Sequence, residues 1–318
     1  MKAEAKKPNT VLKEHLGTMR RDIGKSVGQL TASGKRGENK QQVCAPVPYY
    51  SNIQLLTHQQ TQKIMEILSK SLDGSVPSPP INPQTFVVDQ RQPIEGAVHN
   101  GDSLPSLFIY LLNICTKAMI KQFITEGGVN TKSADPVGVS AALVFSAKDH
   151  QWRGGALIDI LISKFRVTCP VLFGLRGSEK TEAGRQRLGW RKDEGGFITE
   201  SVHRDRMTGL GAGFASISLR HFNKADLKNP YPPSNYWKAL AYILNTPANE
   251  VSNTQYVVLR AMLEHNEQRF LKFYGNAAMA ALQVAIVEFP KKAPAGSAGA
   301  ASVKGLGDML AQEGLILA

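Results

Sequence analysis

The sequence is short of the residues that staple small folds or bind metals. It has three cysteines in 318 residues, Cys44, Cys115 and Cys169, widely spaced and without a CxxC pair. That argues against a disulfide framework or a zinc site and fits a reducing compartment. The seven histidines never fall into HExxH or another local metal spacing. GxSxG and GxxxxGK[ST] are missing as well, which removes the nucleophile elbow and the P-loop. The amino end, MKAEAKKPNTVLKEHLG, carries no apolar signal-like run, and no stretch of about 18 apolar residues reads as a membrane span. Alternating apolar/polar runs are few and paired hairpin signals are absent, so the chain does not read as sheet.

What is present is ordinary globular material with a basic bias. Hydrophobic residues make up 42% and charged residues 20%, enough for a core that needs no staple. The formal charge is +12, which favours an acidic partner: nucleic acid, phosphate or an acidic protein face. Half of that charge lies in residues 1–40, with ten Lys/Arg against four Asp/Glu. Residues 1–42 therefore read as a basic, partly helical amino-terminal segment. Leu12 and Leu16 mark one short helix there, and Ile23, Val27 and Leu30 a second.

Helical periodicity dominates from there on. Ile64, Ile67, Leu68 and Leu72 form one apolar stripe. Residues 73–105 hold six prolines and read as an irregular connection. Helical patterns return at 106–126, 153–166, 201–222, 236–245, 251–264 and 268–289, while 137–147 reads as helix or strand. Such a succession suggests stacked helix pairs, an all-α solenoid-like domain over residues 43–289. Eleven of the thirteen residues from 290 to 302 are Pro, Ala, Gly or Ser. Residues 290–318 thus read as a flexible linker followed by a tail that either docks as a weak helix or stays disordered.

Two places carry candidate chemistry. Gly209, Gly211 and Gly213 resemble a nucleotide loop, but they lie inside a helical pattern, and close helix packing is the better reading. Arg185, Arg187, Arg191 and Lys192 surround Trp190 with no acid between 185 and 192. Four cations in eight residues suit a multiply phosphorylated ligand as well as they suit a solvated loop. RNA is a third reading, with Trp190 as a stacking platform. Further on, Ser234 reads as the cap of a helix that follows a Pro/aromatic loop.

Several ordered segments resemble one family. They are RRDIGKSVGQLT (20–31), CTKAMIKQFITEGGV (115–129), ISKFRVTCPVLFG (162–174), GRQRLGWRK (184–192), RDRMTGLGAGFASISLR (204–220), YWKALAYILNTP (236–247) and FLKFYGNAAMAAL (270–282). Together they resemble the carboxy-terminal domain of the GLFG-lethal-one (Gle-one) family of nuclear-pore mRNA-export mediators, in its fungal form. The resemblance implies a HEAT-like helical repeat, similar to the middle domain of the translation-initiation scaffold. It implies a non-enzymatic activator of a DEAD-box ATPase at the cytoplasmic face of the nuclear pore. Inositol hexakisphosphate would be the tether, held by the basic pair after the Gly-Trp step, Arg191 and Lys192. Arg185 and Arg187, with Lys132, Lys148 and Lys164, complete the expected pocket. The carboxy-terminal segment of an FG-nucleoporin would meet the late helices, with Tyr231, Tyr236, Trp237, Tyr256, Phe270 and Tyr274 as candidates. The alternative is an RNA-binding helical scaffold that activates nothing.

Overall fold

The computed structural model describes residues 8–31, 49–222, 227–293 and 296–317. It is mostly helical. The helices are α1 (Pro8–Gly28), α2 (Tyr49–Lys70), α3 (Ser106–Gln122), α4 (Ala134–Ser146), α5 (Asp159–Thr168) and α6 (Glu182–Arg187). They continue with α7 (Glu200–Ser218), α8 (Pro233–Leu244), α9 (Asn253–Leu263), α10 (Glu267–Tyr274), α11 (Asn276–Gln283) and α12 (Ala298–Gln312). Two antiparallel pairs of two-residue strands complete the inventory: β1 (Pro80–Ile81) with β2 (Leu104–Pro105), and β3 (Lys192–Asp193) with β4 (Gly196–Phe197). Cys44 and residues 32–42 of the amino-terminal segment lie outside the described residues.

The chain divides into two compact units. The first comprises the described parts of Met1–Gln122, Val139–Lys164 and Phe222–Pro230. Here α1 is a single helix rather than the expected two, because nothing between Leu16 and Ile23 breaks it. Met19, Ile23, Val27 and Leu30 recur at helical spacing and are all buried. They pack on α3, whose Phe108, Leu111, Leu112 and Met119 are fully enclosed. Residues 106–127 pass the length and composition test for a membrane span, yet 61% of that window is buried, as in a core helix. The proline-rich connection is irregular as expected, but it is pinned. Arg91 donates to the carbonyls of Gly155 (2.8 Å) and Ala156 (2.9 Å), and Trp152 Nε1 donates to the Gly101 carbonyl at 2.8 Å.

The second unit comprises the described parts of Phe123–Gly138, Phe165–His221 and Tyr231–Ala318. Its axis is α7, packed against α9 and against the π-turn Phe123–Gly127. The α7 glycines make that approach possible. A Cβ on Gly209 would stand 2.0 Å from the Phe123 carbonyl oxygen, and one on Gly213 2.6 Å from the Phe123 ring. Close packing is therefore what these glycines provide. Phe165, Phe214 and Phe123 meet in the core beside them.

Residues 298–312 form α12, so the helix takes in the end of the expected linker as well as the tail, whose docked-helix alternative it matches. Val303, Leu306 and Leu310 recur at helical spacing and are buried, and Ser297 caps the first turn. α12 lies on α9, where Arg260 donates to both the carbonyl and the hydroxyl of Ser302. The small-residue composition that suggested a linker is what lets the two helices come close. The pattern at 268–289 is also two helices, α10 and α11, divided at Gly275 (φ +52). Ser234 does not cap α8: the helix begins at Pro233, with Pro232 in the capping position.

Candidate anion-binding site

The basic cluster Arg185–Lys192 lies in the second unit and is held by ordinary local chemistry. Thr181 starts α6 by accepting the Gly184 N–H at 3.1 Å. Arg185 and Arg187 occupy the last turn of α6, where cations complement the helix dipole. Leu188 is buried, and Gly189 follows at φ +82. A Cβ on Gly189 would stand 2.7 Å from the Thr168 carbonyl, so only glycine both turns and fits there. That turn places Trp190 and delivers Arg191 and Lys192 to the β3–β4 hairpin. Asp193 Oδ1 accepts the Gly195 N–H within the loop, and Gly196 takes φ +115. The Gly-Gly step was the available hairpin signal, masked in the sequence by strands only two residues long.

Trp190 anchors the hairpin. Its indole stacks on His203 of α7 with ring centroids 4.0 Å apart and an interplanar angle of 14°. The Arg185 guanidinium lies 5.0 Å from its ring centroid while Arg185 Nε donates to the Glu179 carbonyl at 2.7 Å. Phe197 of β4 meets the indole edge-on. The indole is thus already engaged by protein groups, which weakens its case as a platform for bases. Behind it runs a polar relay. Thr254 gives its N–H and its hydroxyl to Glu179 Oε1, so its oxygen is left to accept from His203 Nε2 at 2.9 Å. Burial, seconded by the nearby Arg206 charge, pushes the His203 imidazole down to about 3. His203 is therefore neutral at pH 7 and donates through Nε2.

Arg191 and Lys192 are exposed on the hairpin. Lys192 pairs with Glu182 and lies 5.1 Å from the Phe197 ring centroid. Being exposed, that ion pair is easily exchanged for another anion. Arg191 has no hydrogen bond or ion pair through its side chain among the described residues. The structure thus brings Arg185 and Lys192 to the same Phe197 ring, while Arg187 and Arg191 are exposed on the neighbouring helix and hairpin. Lys132 is exposed in the turn Thr131–Ser133 of the same unit. Lys148 and Lys164 belong to the first unit. There Lys148 is exposed, and Lys164 donates to Asn113 Oδ1 at 2.6 Å.

The aromatic candidates split by burial. Tyr236, Tyr256 and Phe270 are enclosed, and the two hydroxyls donate to the carbonyls of Met262 and Phe289. These three build the core and cannot touch a partner directly. Tyr231 is half-buried edge-on against Phe214. Trp237 and Tyr274 face each other at 4.9 Å with partial exposure, and so offer a surface. Cys169 caps a short turn in the core, where burial raises its thiol far above the usual range; the same effect pushes Cys115 up to about 12. Neither is poised as a nucleophile.

Fold and site together define a helical domain that displays a cationic hairpin on a tryptophan–histidine anchor. The chain belongs to the GLE1-like protein family, which it matches over residues 1–286. It is 51% identical over 311 residues to the mRNA export factor GLE1 of Chaetomium thermophilum, covering 98% of this chain and 55% of that protein. It is 31% identical over 183 residues to mRNA export factor GLE1 of Saccharomyces cerevisiae, covering 56% of this chain and 32% of that protein. The chain thus spans about half or less of the length of these relatives. Its fold matches a solved structure of the S. cerevisiae Dbp5 C-terminal domain bound to Gle1 and IP6. The TM-score is 0.69 at 21% identity, covering 96% of this chain and 85% of that one.

Proposed function

We propose that this chain is the part of an mRNA export factor that activates a DEAD-box RNA-dependent ATPase, with inositol hexakisphosphate as a tether between them. In this reading it has no ATPase activity of its own, acts at the cytoplasmic face of the nuclear pore, and has a HEAT-like arrangement of helices. The observation that carries the proposal is the hairpin: Arg191 and Lys192 are displayed on a rigid anchor, and among the described residues the only carboxylate pairing with either is the exposed Glu182. A polyanion lying between two basic surfaces turns their repulsion into attraction. The scaffold would then favour one state of the ATPase by its differential affinity for that state. The family membership and the named complex of a relative with Dbp5 and IP6 support the same reading. Trp237 and Tyr274 are the aromatic residues retained for a nucleoporin segment.

The test is an RNA-stimulated ATPase assay of the helicase with and without this chain and inositol hexakisphosphate. Stimulation is expected to require the chain and to rise with the inositol phosphate. Arg191→Gln with Lys192→Gln should remove most of that inositol-phosphate-dependent rise. Equal loss with and without the ligand would overturn the assignment of the hairpin. Tight, steeply salt-dependent RNA binding by the chain alone, with no stimulation, would favour the RNA scaffold instead.

A further inference from the structure

We infer that Arg206, on α7, is a second wall of the anion site and ligates a phosphate group together with Arg191. This rests on the reading of the hairpin as a polyanion site and extends it to a residue outside the basic loop.

The geometry places Arg206 there. Residues three apart on a helix share a face, so Arg206 stands one turn beyond His203 on the side of α7 that receives Trp190. Arg191 directly follows Trp190, so its backbone leaves the anchor beside the face of α7 that carries Arg206. Arg206 is half-buried, yet among the described residues it makes no hydrogen bond and no ion pair, and its Nε is enclosed without an acceptor. Every other half-buried arginine among the described residues has an oxygen to hold it, as Arg91 has the Ala156 carbonyl, Arg176 has Glu250 and Arg220 has Asp135. A second donor, Nε1 of the anchoring Trp190, is likewise enclosed without a partner among the described residues. Burial, with help from the neighbouring Arg191 charge, holds the Arg206 guanidinium below the usual arginine range.

A folded protein rarely encloses a guanidinium Nε and an indole N–H without acceptors, and an oxygen-rich anion is one group that would supply them. A phosphate group supplies several acceptor oxygens and two negative charges, and a guanidinium fork matches it bidentately. Arg206 differs from Arg191 in being fixed on a long helix, so it can grip the anion from a rigid base while the hairpin covers it.

The experiment pairs calorimetric titration of inositol hexakisphosphate with thermal melting, on the parent chain, Arg206→Gln and Arg206→Lys. Arg206→Gln is expected to weaken binding about tenfold, the loss of one charge-assisted contact. It should also lower the salt dependence of binding, while melting without ligand stays unchanged or rises because an unpaired charge has been removed. Arg206→Lys should keep the melting temperature and part of the affinity, since it retains charge without the fork. Parental affinity and salt dependence in both variants would overturn the inference and leave the hairpin reading standing. If Arg206→Gln fails to fold or melts lower, Arg206→Lys decides. Weakened binding at unchanged melting supports the inference, and parental binding overturns it. No titration heat and no ligand-induced stabilisation in the parent chain would sink the hairpin reading itself, and the inference with it.

Discussion

Two arginine clusters in the second unit treat buried charge in opposite ways. At the first, Asp135 near the start of α4 receives Arg220 at 2.6 Å and Arg269 at 2.7 Å. Three elements distant in sequence are thereby tied at one carboxylate. At the second, Arg206 on the Trp190 side of α7 makes no ion pair among the described residues and its Nε is enclosed without an acceptor. The first arrangement is complete without help, whereas the second, on the inference above, is completed by an anion. The contrast separates arginines that hold the fold from arginines kept for a ligand, a distinction that composition and net charge do not reveal.

The largest way to break this comparison is to remove the carboxylate. Asp135→Ala should leave Arg220 buried without its anion. Breaking a fully buried pair costs about 3–5 kcal/mol, and the partial exposure of Asp135 lowers the expectation to about 2–3 kcal/mol. Denaturant unfolding will show this as a lower midpoint at unchanged slope, and inositol hexakisphosphate affinity should stay parental. A large loss of affinity in this variant would erase the distinction between the two clusters.

A smaller effect sharpens the comparison through pH. His203 is held near 3 in the folded protein, against about 6.5 in an unfolded chain. Between those values the unfolded chain binds a proton that the folded chain refuses, so folding stability falls as pH drops from about 6.5 towards 3 and is fully present above it. Asp135 adds a loss at lower pH. Burial opposes its charge, but Arg220 and Arg269 hold its carboxyl below the usual range, so its contribution goes as pH falls through that depressed value. Unfolding free energies measured from pH 7 to 4 should therefore decline, and His203→Gln should flatten that slope. An unchanged slope would mean that His203 is not enclosed as the Trp190 stack requires.

Much of the architecture was legible in the sequence, because apolar spacing at helical period is a local signal. The stripes of α2, α3 and α9 were readable, and so were the close-packing glycines of α7. The basic loop stood out because its cations are contiguous. What escaped was non-local or carried by small residues. α12 was hidden by Ala, Gly and Ser, which read as linker until α9 supplies a surface for them. The core roles of Tyr256 and Phe270 were hidden because an aromatic residue looks the same whether it packs inward or outward. Arg206 was hidden because an arginine in a polar stretch says nothing about its partners, and its lack of one is visible only once the helix is placed against the hairpin.

The most direct measurement of the central claim is a titration of inositol hexakisphosphate into this chain across a series of salt concentrations, beside the Arg191→Gln and Lys192→Gln double variant. The parent should bind with an affinity that falls steeply as salt rises, and the double variant should bind at least about tenfold more weakly, at an unchanged melting temperature. Equal affinity and equal salt dependence in the two proteins would contradict the account.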